Sequence, residues 1–199
     1  MNTDQKANIE CIITAVAETI FSAWAHLHLL EGLHRGGTCS PTVVQKFEHF
    51  FDEIWRATFD SLFSAVGAIL DQKKGTNSLP ALITKAKTYG DANLKNTAKL
   101  VQDRLNTDRG ALKKMREWRH EVVAHRPSSF SNIFYEEHEL TLDDVKAALR
   151  QLEQMLDDLS FEALQLHNEL ETGSEILVKQ GVDLFACLAE HKSADSEQA

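Results

Sequence analysis

The sequence predicts an all-α fold: an antiparallel bundle of four to five main helices, with short extra helices and a C-terminal helical appendage. Only 3 prolines and 9 glycines occur among 199 residues, whereas good helix formers are abundant. Long segments also repeat apolar residues at helical spacing. A chain of this size with 43% apolar residues can bury one sizeable core. We therefore predict a bundle over residues 1–172, followed by an amphipathic helix and polar tail over residues 173–199.

The first two predicted helices are long. Residues 8–35 carry a wide apolar stripe that ends at the break RGGTCSP. Proline favours the first helical position, so the second helix begins at Ser40-Pro41 and runs to about Asp71. Apolar and aromatic side chains nearly encircle this second helix. We expect it to be the central, most buried element, with its aromatic residues in the core rather than stacked on nucleic-acid bases.

Three helices are predicted in the middle of the chain. One follows Pro80 and ends near Tyr89, and the next extends from a Gly-Asp break to about Leu105. The third begins near Asp108, which is a suitable N-cap residue. Pro127 closes it, because the residue before a proline is disfavoured in helical geometry.

Two helices are predicted after that proline. The pattern Thr141-x-x-Asp144 resembles a capping box and opens a long helix that extends to about Glu171. Residues 175–191 form a final amphipathic helix. Its polar face is acidic, so we expect it to pack on the bundle or on a partner rather than on a membrane.

The cysteines and the N-terminus favour a cytoplasmic protein. Cys11, Cys39 and Cys187 are odd in number and widely spaced, which is typical of free thiols in a reducing compartment. The N-terminus lacks the basic and apolar regions of a signal peptide, and we find no run of about 18 apolar residues. We therefore expect no membrane association.

Charge is distributed unevenly along this acidic chain, whose net charge is −9. Residues 73–126 contain 13 Lys and Arg against 5 Asp and Glu, whereas 16 acidic and 4 basic residues follow Pro127. A polyanion would be attracted to the middle segment if the fold keeps the two regions apart. Alternatively, the two regions neutralise each other across the fold. The sequence leaves both interpretations open.

The segment REWRHEVVAHRP concentrates positive charge on the helix that Pro127 closes. At about 100° per residue, Arg119 and His125 project from opposite edges of the apolar stripe that contains Trp118 and Val122. At such positions a partner helix or a partner subunit would cover them. Alternatively, Arg119 is paired with a carboxylate for structural reasons, and His125 interacts with the carbonyl groups at the helix end.

The residues Arg119, His120 and His125 form an R-x5-H pattern. It resembles the R-x(4-6)-H signature of the HEPN superfamily (higher eukaryotes and prokaryotes nucleotide-binding domains), in which a polar residue commonly follows the arginine. The stretches WRATFDSLF, residues 55–63, and EWRHEVVAHRP look like the abortive-infection branch of that superfamily. The similarity extends over about residues 10–170, and the last helix looks like an added element.

This resemblance implies a homodimer with RNA as its substrate. The two R/H motifs of such a dimer meet at the two-fold axis and form a metal-independent endoribonuclease centre, without a cofactor. Proteins of this kind often act in toxin or antiviral defence systems, so an antitoxin or regulatory protein is a further expected partner. No tyrosine follows His125 closely, which argues against neutralisation by modification of such a tyrosine.

Arginine and histidine suit metal-free RNA cleavage, which needs a base, an acid and a cation that stabilises charge on the phosphoryl oxygens. Two copies of His125 would divide the acid and base roles, while Arg119 binds the phosphate with its planar guanidinium. His120 would position the substrate or the arginine. Further substrate-binding candidates are Arg116, Arg126 and Lys113.

Arg56 and Asp60 are secondary candidates, spaced i, i+4 on the second predicted helix. A structural ion pair is the simplest interpretation. Alternatively, one of them contacts Arg119 and orients its side chain without touching the substrate itself.

A metal site is not predicted. His26, His28, His34 and Cys39 lie close in sequence, but helical geometry places His26 and His28 on different sides. The chain also lacks a glycine-rich phosphate loop and a paired zinc-ligand motif.

Two functions of different class therefore remain open. The first is a dimeric endoribonuclease of toxin or abortive-infection type that uses Arg119 and His125. The second is a non-catalytic helical module that binds a nucleotide, an RNA or a protein partner, with the same residues as structural or ligand contacts.

Overall fold

All regular secondary structure in the described part of the chain is helical. The computed structural model describes residues 1–73, 75–107, 110–119, 140–171 and 176–196. The predicted all-α helical bundle is thereby confirmed. The helices are α1 (Thr3–Cys39), α2 (Pro41–Lys46), α3 (Glu48–Ile69), α4 (Leu79–Tyr89), α5 (Ala92–Thr107), α6 (Ala111–Trp118), α7 (Leu142–Leu164) and α8 (Ile176–Ser196).

The long first helix, α1, is the centre of the bundle. It packs against α3, α4, α7 and α8, and the side chains of Ile20, Trp24 and Leu27 are completely buried. The prediction that the second helix would be the most buried is wrong, because α3 exposes Phe50 (55%) and Trp55 (38%). This helix lies at the side of α1, where the neighbouring helices cover only part of its surface. Some residues of its almost complete apolar ring therefore stay exposed.

The break predicted within RGGTCSP is present at Ser40 (φ −135°, ψ 63°), but α1 continues to Cys39 rather than ending at residue 35. Gly36 lies within α1, and its missing side chain leaves room for the ring of Phe185 from α8. The second predicted helix begins at Pro41 as expected, but it divides at Phe47 (φ −118°, ψ 31°) into α2 and α3.

Local signals predicted α4, α5 and the start of α7 well. Thr141 and Asp144 form both hydrogen bonds of the predicted capping box. However, α7 ends at Leu164 rather than near Glu171, because Gln165 adopts left-handed geometry (φ 59°). The N-cap of α6 is Gly110 rather than Asp108.

Helix α8 packs closely on the C-terminal half of α1. A Cβ added to Gly181 would lie 2.7 Å from the Gly32 Cα atom, so the two backbones touch at this crossing. Phe185 is 2% exposed and joins a second apolar cluster with Leu33, Val43 and Phe51. The prediction that the final helix packs on the bundle is confirmed, whereas the predicted division after residue 172 lies outside the described residues.

Two properties bear on the predicted compartment. The three cysteines are free, as predicted, and all three are exposed. By length and composition alone, α1 qualifies as a possible membrane-spanning helix, a property that core helices of soluble proteins share. Cytoplasmic localisation therefore stays a prediction.

Candidate functional site

The described residues include part of the predicted site. Arg119, Arg116 and Lys113 lie on or directly after α6, and Arg56 and Asp60 lie on α3. The predicted catalytic residues His120 and His125, the predicted substrate-binding residue Arg126 and the helix end at Pro127 lie outside the described residues.

Trp118 anchors α6 against α3. It is 4% exposed, and its ring centroid lies 5.9 Å from that of Phe59 and 6.2 Å from that of Phe63. Met115 and Leu112, about one and two turns earlier, are completely buried. This apolar stripe, predicted from the sequence, fixes where the residue after Trp118 emerges.

Arg119 emerges at the junction of α3 and α6. Helical backbone geometry continues through it (φ −57°, ψ −44°), and the residue is exposed. Its side chain lies over Gly67 of α3, because a Cβ added to Gly67 would lie 2.0 Å from the Arg119 Nε atom and 2.5 Å from Cζ. Gly67 thus provides the space in which the guanidinium lies.

Gly67 shares one face of α3 with the secondary candidates. At 100° per residue, Arg56, Asp60 and Gly67 lie within about 40° of one another, with Asp60 about 10 Å from Gly67 along the axis. Sequence reasoning missed Gly67. The available signal was a glycine in register with two charged residues on an otherwise apolar and aromatic helix.

The described residues offer Arg119 no ion pair. The alternative of a structural pairing between Arg119 and a carboxylate therefore finds no partner within residues 1–73, 75–107, 110–119, 140–171 and 176–189. Arg56 is exposed and paired with Glu53, three residues earlier, rather than with Asp60. Asp60 is half-buried and has contacts of its own.

The predicted substrate-binding residues on α6 have intramolecular partners. The Lys113 Nζ atom lies 3.3 Å from a Glu117 carboxylate oxygen. Arg116 donates a hydrogen bond to the Leu105 carbonyl oxygen at 3.3 Å, which ties α6 to the end of α5. Both side chains belong to exposed residues, and either would have to exchange these contacts to bind a substrate.

Salt bridges connect the basic middle segment to the acidic residues after Pro127. Lys114 pairs with Asp144 at 3.0 Å, and Arg104 pairs with Asp158 at 2.7 Å. The interpretation in which the two regions neutralise each other is therefore correct for these two cations. Arg119 differs from them because no described carboxylate lies within ion-pair distance.

The histidines near the end of α1 do not form a metal-binding group. Within the described residues, no three His, Cys, Asp or Glu side chains are arranged to hold a metal ion. His28 is buried and stacks on Trp24 at 5.4 Å. His26 is half-buried, and desolvation lowers its pKa below 6.5.

The fold and the candidate site define an all-α helical bundle with an exposed arginine at the junction of two packed helices. The family model of HEPN AbiU2 matches residues 14–179. The chain therefore belongs to the AbiU2 family of HEPN proteins, an abortive-infection branch of that superfamily. No curated protein and no solved structure matches the chain.

Proposed function

We propose that this protein is a metal-independent endoribonuclease of abortive-infection type that acts as a homodimer. Membership of the abortive-infection HEPN family supports the general role. The observation that carries the proposal is Arg119, an exposed guanidinium that lies over Gly67 and is not neutralised by a described carboxylate. Such a group retains its charge and its planar array of donors for a phosphate.

The proposed reaction uses one Arg119 and two copies of His125. The neutral imidazole of one His125 accepts the proton of the RNA 2′-hydroxyl, and the 2′-oxygen then attacks phosphorus. The bond from phosphorus to the 5′-oxygen breaks, and the protonated His125 of the other subunit donates a proton to that leaving oxygen. The products are a 2′,3′-cyclic phosphate and a 5′-hydroxyl, while the guanidinium of Arg119 stabilises charge on the phosphoryl oxygens.

The remaining candidates have supporting roles in this proposal. His120 positions the substrate or the arginine, Arg126 binds the substrate, and Arg116 and Lys113 bind neighbouring phosphates after exchanging their intramolecular contacts. Asp60 lies closer to Gly67 along α3 than Arg56 does, and Arg56 is paired with Glu53, so Asp60 is the better candidate of the α3 pair for orienting the arginine. A cytoplasmic site of action and an inhibitory protein partner complete the proposal.

The first experiment is RNA cleavage by the purified protein in EDTA. Wild type and the variants His125→Ala and His49→Ala are incubated with a mixed RNA substrate, and the fragment ends are analysed for cyclic phosphate. His49 is an exposed histidine on α3 and serves as the matched control. We expect cleavage by wild type and His49→Ala, and none by His125→Ala. Equal cleavage by all three proteins would refute the assigned site.

The dimeric site has a separate test. Wild type and His125→Ala are unfolded together, refolded at varied ratios and assayed at constant total protein. If both copies of His125 serve one site, activity falls with the square of the wild-type fraction. A linear decrease would show that each chain carries a complete site.

A non-catalytic binding module is the second candidate. The salt bridges of Lys114 with Asp144 and of Arg104 with Asp158 favour a module that binds a nucleotide or a protein partner, because they weaken the positive field that would attract RNA. In that case neither wild type nor any variant cleaves RNA, whether in EDTA or with added divalent cations. A defined ligand would then bind wild type and lose affinity for Arg119→Ala.

A further inference from the structure

A second candidate site lies at the opposite end of α3 from Arg119. An open cavity of about 680 Å³ is formed by the C-terminal end of α1, by α2, by the first two turns of α3 and by α8. The residues that matter for its chemistry are His34, Glu48, Phe51, Asp52, Trp55 and Phe185. We call it the Trp55 pocket.

The floor of the Trp55 pocket is aromatic. The rings of Phe51 and Phe185 stack with centroids 4.5 Å apart and an angle of 14° between their planes. Phe51 is 7% and Phe185 is 2% exposed. Since Phe185 comes from α8, packing of the last helix on α1 completes the pocket.

The α3 wall of the pocket is acidic and aromatic. Glu48, Asp52 and Trp55 are spaced i, i+4 and i+7, so they lie on one face of α3. Neither carboxylate forms an ion pair with any described residue. Trp55 is 38% exposed, and its ring centroid lies 6.4 Å from that of His34 across the pocket.

This combination selects for a cation that also has an apolar part. The described lining contains two carboxylates and neither Lys nor Arg, so an RNA phosphate would be repelled there. A guanidinium stacks on an aromatic face and forms paired hydrogen bonds with carboxylates, which a compact ammonium does less well. Its aliphatic stem would cover the aromatic floor.

We propose that the Trp55 pocket binds an arginine side chain of a partner protein. The guanidinium lies on the Trp55 ring and pairs with Glu48 and Asp52, and the stem contacts Phe51 and Phe185. The pocket is separate from the proposed RNA site, because Asp52 and Gly67 are about 22 Å apart along α3. The inference therefore does not rest on ribonuclease activity.

The test uses the full chain and the tripeptide acetyl-Gly-Arg-Gly-amide, with tryptophan fluorescence and calorimetry as readouts. The matched ligand contains citrulline, which has nearly the same shape without the charge. We expect the arginine peptide to bind with a Kd on the order of 1 mM, and citrulline to bind about tenfold more weakly or worse. In Trp55→Phe the fluorescence change should disappear.

The matched protein variants remove two negative charges each. Glu48→Gln with Asp52→Asn should weaken binding of the arginine peptide about tenfold, whereas Glu10→Gln with Glu18→Gln, on exposed positions of α1, should leave it unchanged. Equal affinity for both peptides, equal affinity of both variants, or no saturable binding up to about 10 mM would overturn the proposal. The proposal would also be overturned if a short single-stranded RNA bound at Trp55 more tightly than the arginine peptide does.

Discussion

Gly32 of α1 and Gly181 of α8 bring two helix backbones into direct contact. A Cβ on Gly32 would lie 2.7 Å from the Val178 carbonyl oxygen and 3.0 Å from the Gly181 Cα atom. One turn later, Gly36 lies under the Phe185 ring. The same crossing that positions Phe185 in the second apolar cluster therefore depends on residues without side chains.

The substitution Gly181→Ala tests this contact. Backbone atoms on α1 cannot move aside as the end of a side chain can, so we expect the free energy of unfolding to fall by roughly 1–3 kcal/mol. The measurement is urea denaturation. The control is Gly37→Ala, whose Cβ would approach side-chain atoms instead, the Val44 Cγ2 atom at 3.1 Å and the Phe185 Cζ atom at 3.7 Å. Equal effects of the two substitutions would show that the crossing is not tightly packed.

The substitution Gly67→Ala tests the space that Arg119 occupies. The new Cβ would displace the Arg119 Nε and Cζ atoms, which lie at the flexible end of that side chain. We expect RNA cleavage to fall about tenfold or more, with a change in unfolding free energy below about 1 kcal/mol. Cleavage at the wild-type rate would show that Arg119 does not take part in the proposed reaction.

The substitution Arg119→Lys retains the charge but removes the planar array of donors. We expect kcat/KM for RNA cleavage to fall on the order of 10- to 100-fold, because lysine binds a phosphate as a point charge. Circular dichroism checks that the fold is intact. Full activity of the lysine variant would reduce the role of Arg119 to general attraction of the substrate.

The capping box of α7 makes stability depend on acid pH. The hydrogen bond from the Thr141 backbone and the contact with Lys114 lower the pKa of Asp144 below its usual 3.8. A lowered pKa in the folded state means that the stabilisation is complete above about pH 4 and is lost as the pH falls through the folded-state value. Asp144→Asn should therefore lose stability at pH 7 and show a smaller further loss in acid. The measurement is the unfolding free energy of wild type and Asp144→Asn, at pH 7 and in acid.

The ion pair of Lys146 and Glu31 connects α7 to α1. Lys146 Nζ lies 2.6 Å from a Glu31 carboxylate oxygen, and the Glu31 side chain is only 9% exposed. We expect Lys146→Met to cost roughly 1–3 kcal/mol, because it leaves a nearly buried carboxylate with the exposed Arg35 at 3.6 Å. The double variant Glu31→Leu with Lys146→Met should be more stable than Lys146→Met alone. Equal stability of the two would show that Glu31 is well solvated without Lys146.

Local patterns in the sequence determined much of this protein. Low proline and glycine content predicted the helical bundle, and the Thr141 capping box fixed the start of α7. The apolar stripe that contains Met115 and Trp118 predicted the buried face of α6 that positions Arg119. These features depend on neighbours within one or two helical turns, so their physical causes are visible in the chain itself.

Only the tertiary structure decided which helix is central and how the others approach it. The aromatic pattern of α3 placed Phe50 and Trp55 in the core, but burial depends on which other helices cover a face. The Gly-Gly sequence at residues 36–37 suggested a break, whereas contact with Phe185 of α8 explains a glycine in a continuous helix. Likewise, the contact of Gly67 with Arg119 joins residues 52 positions apart, and no local propensity encodes such a distance.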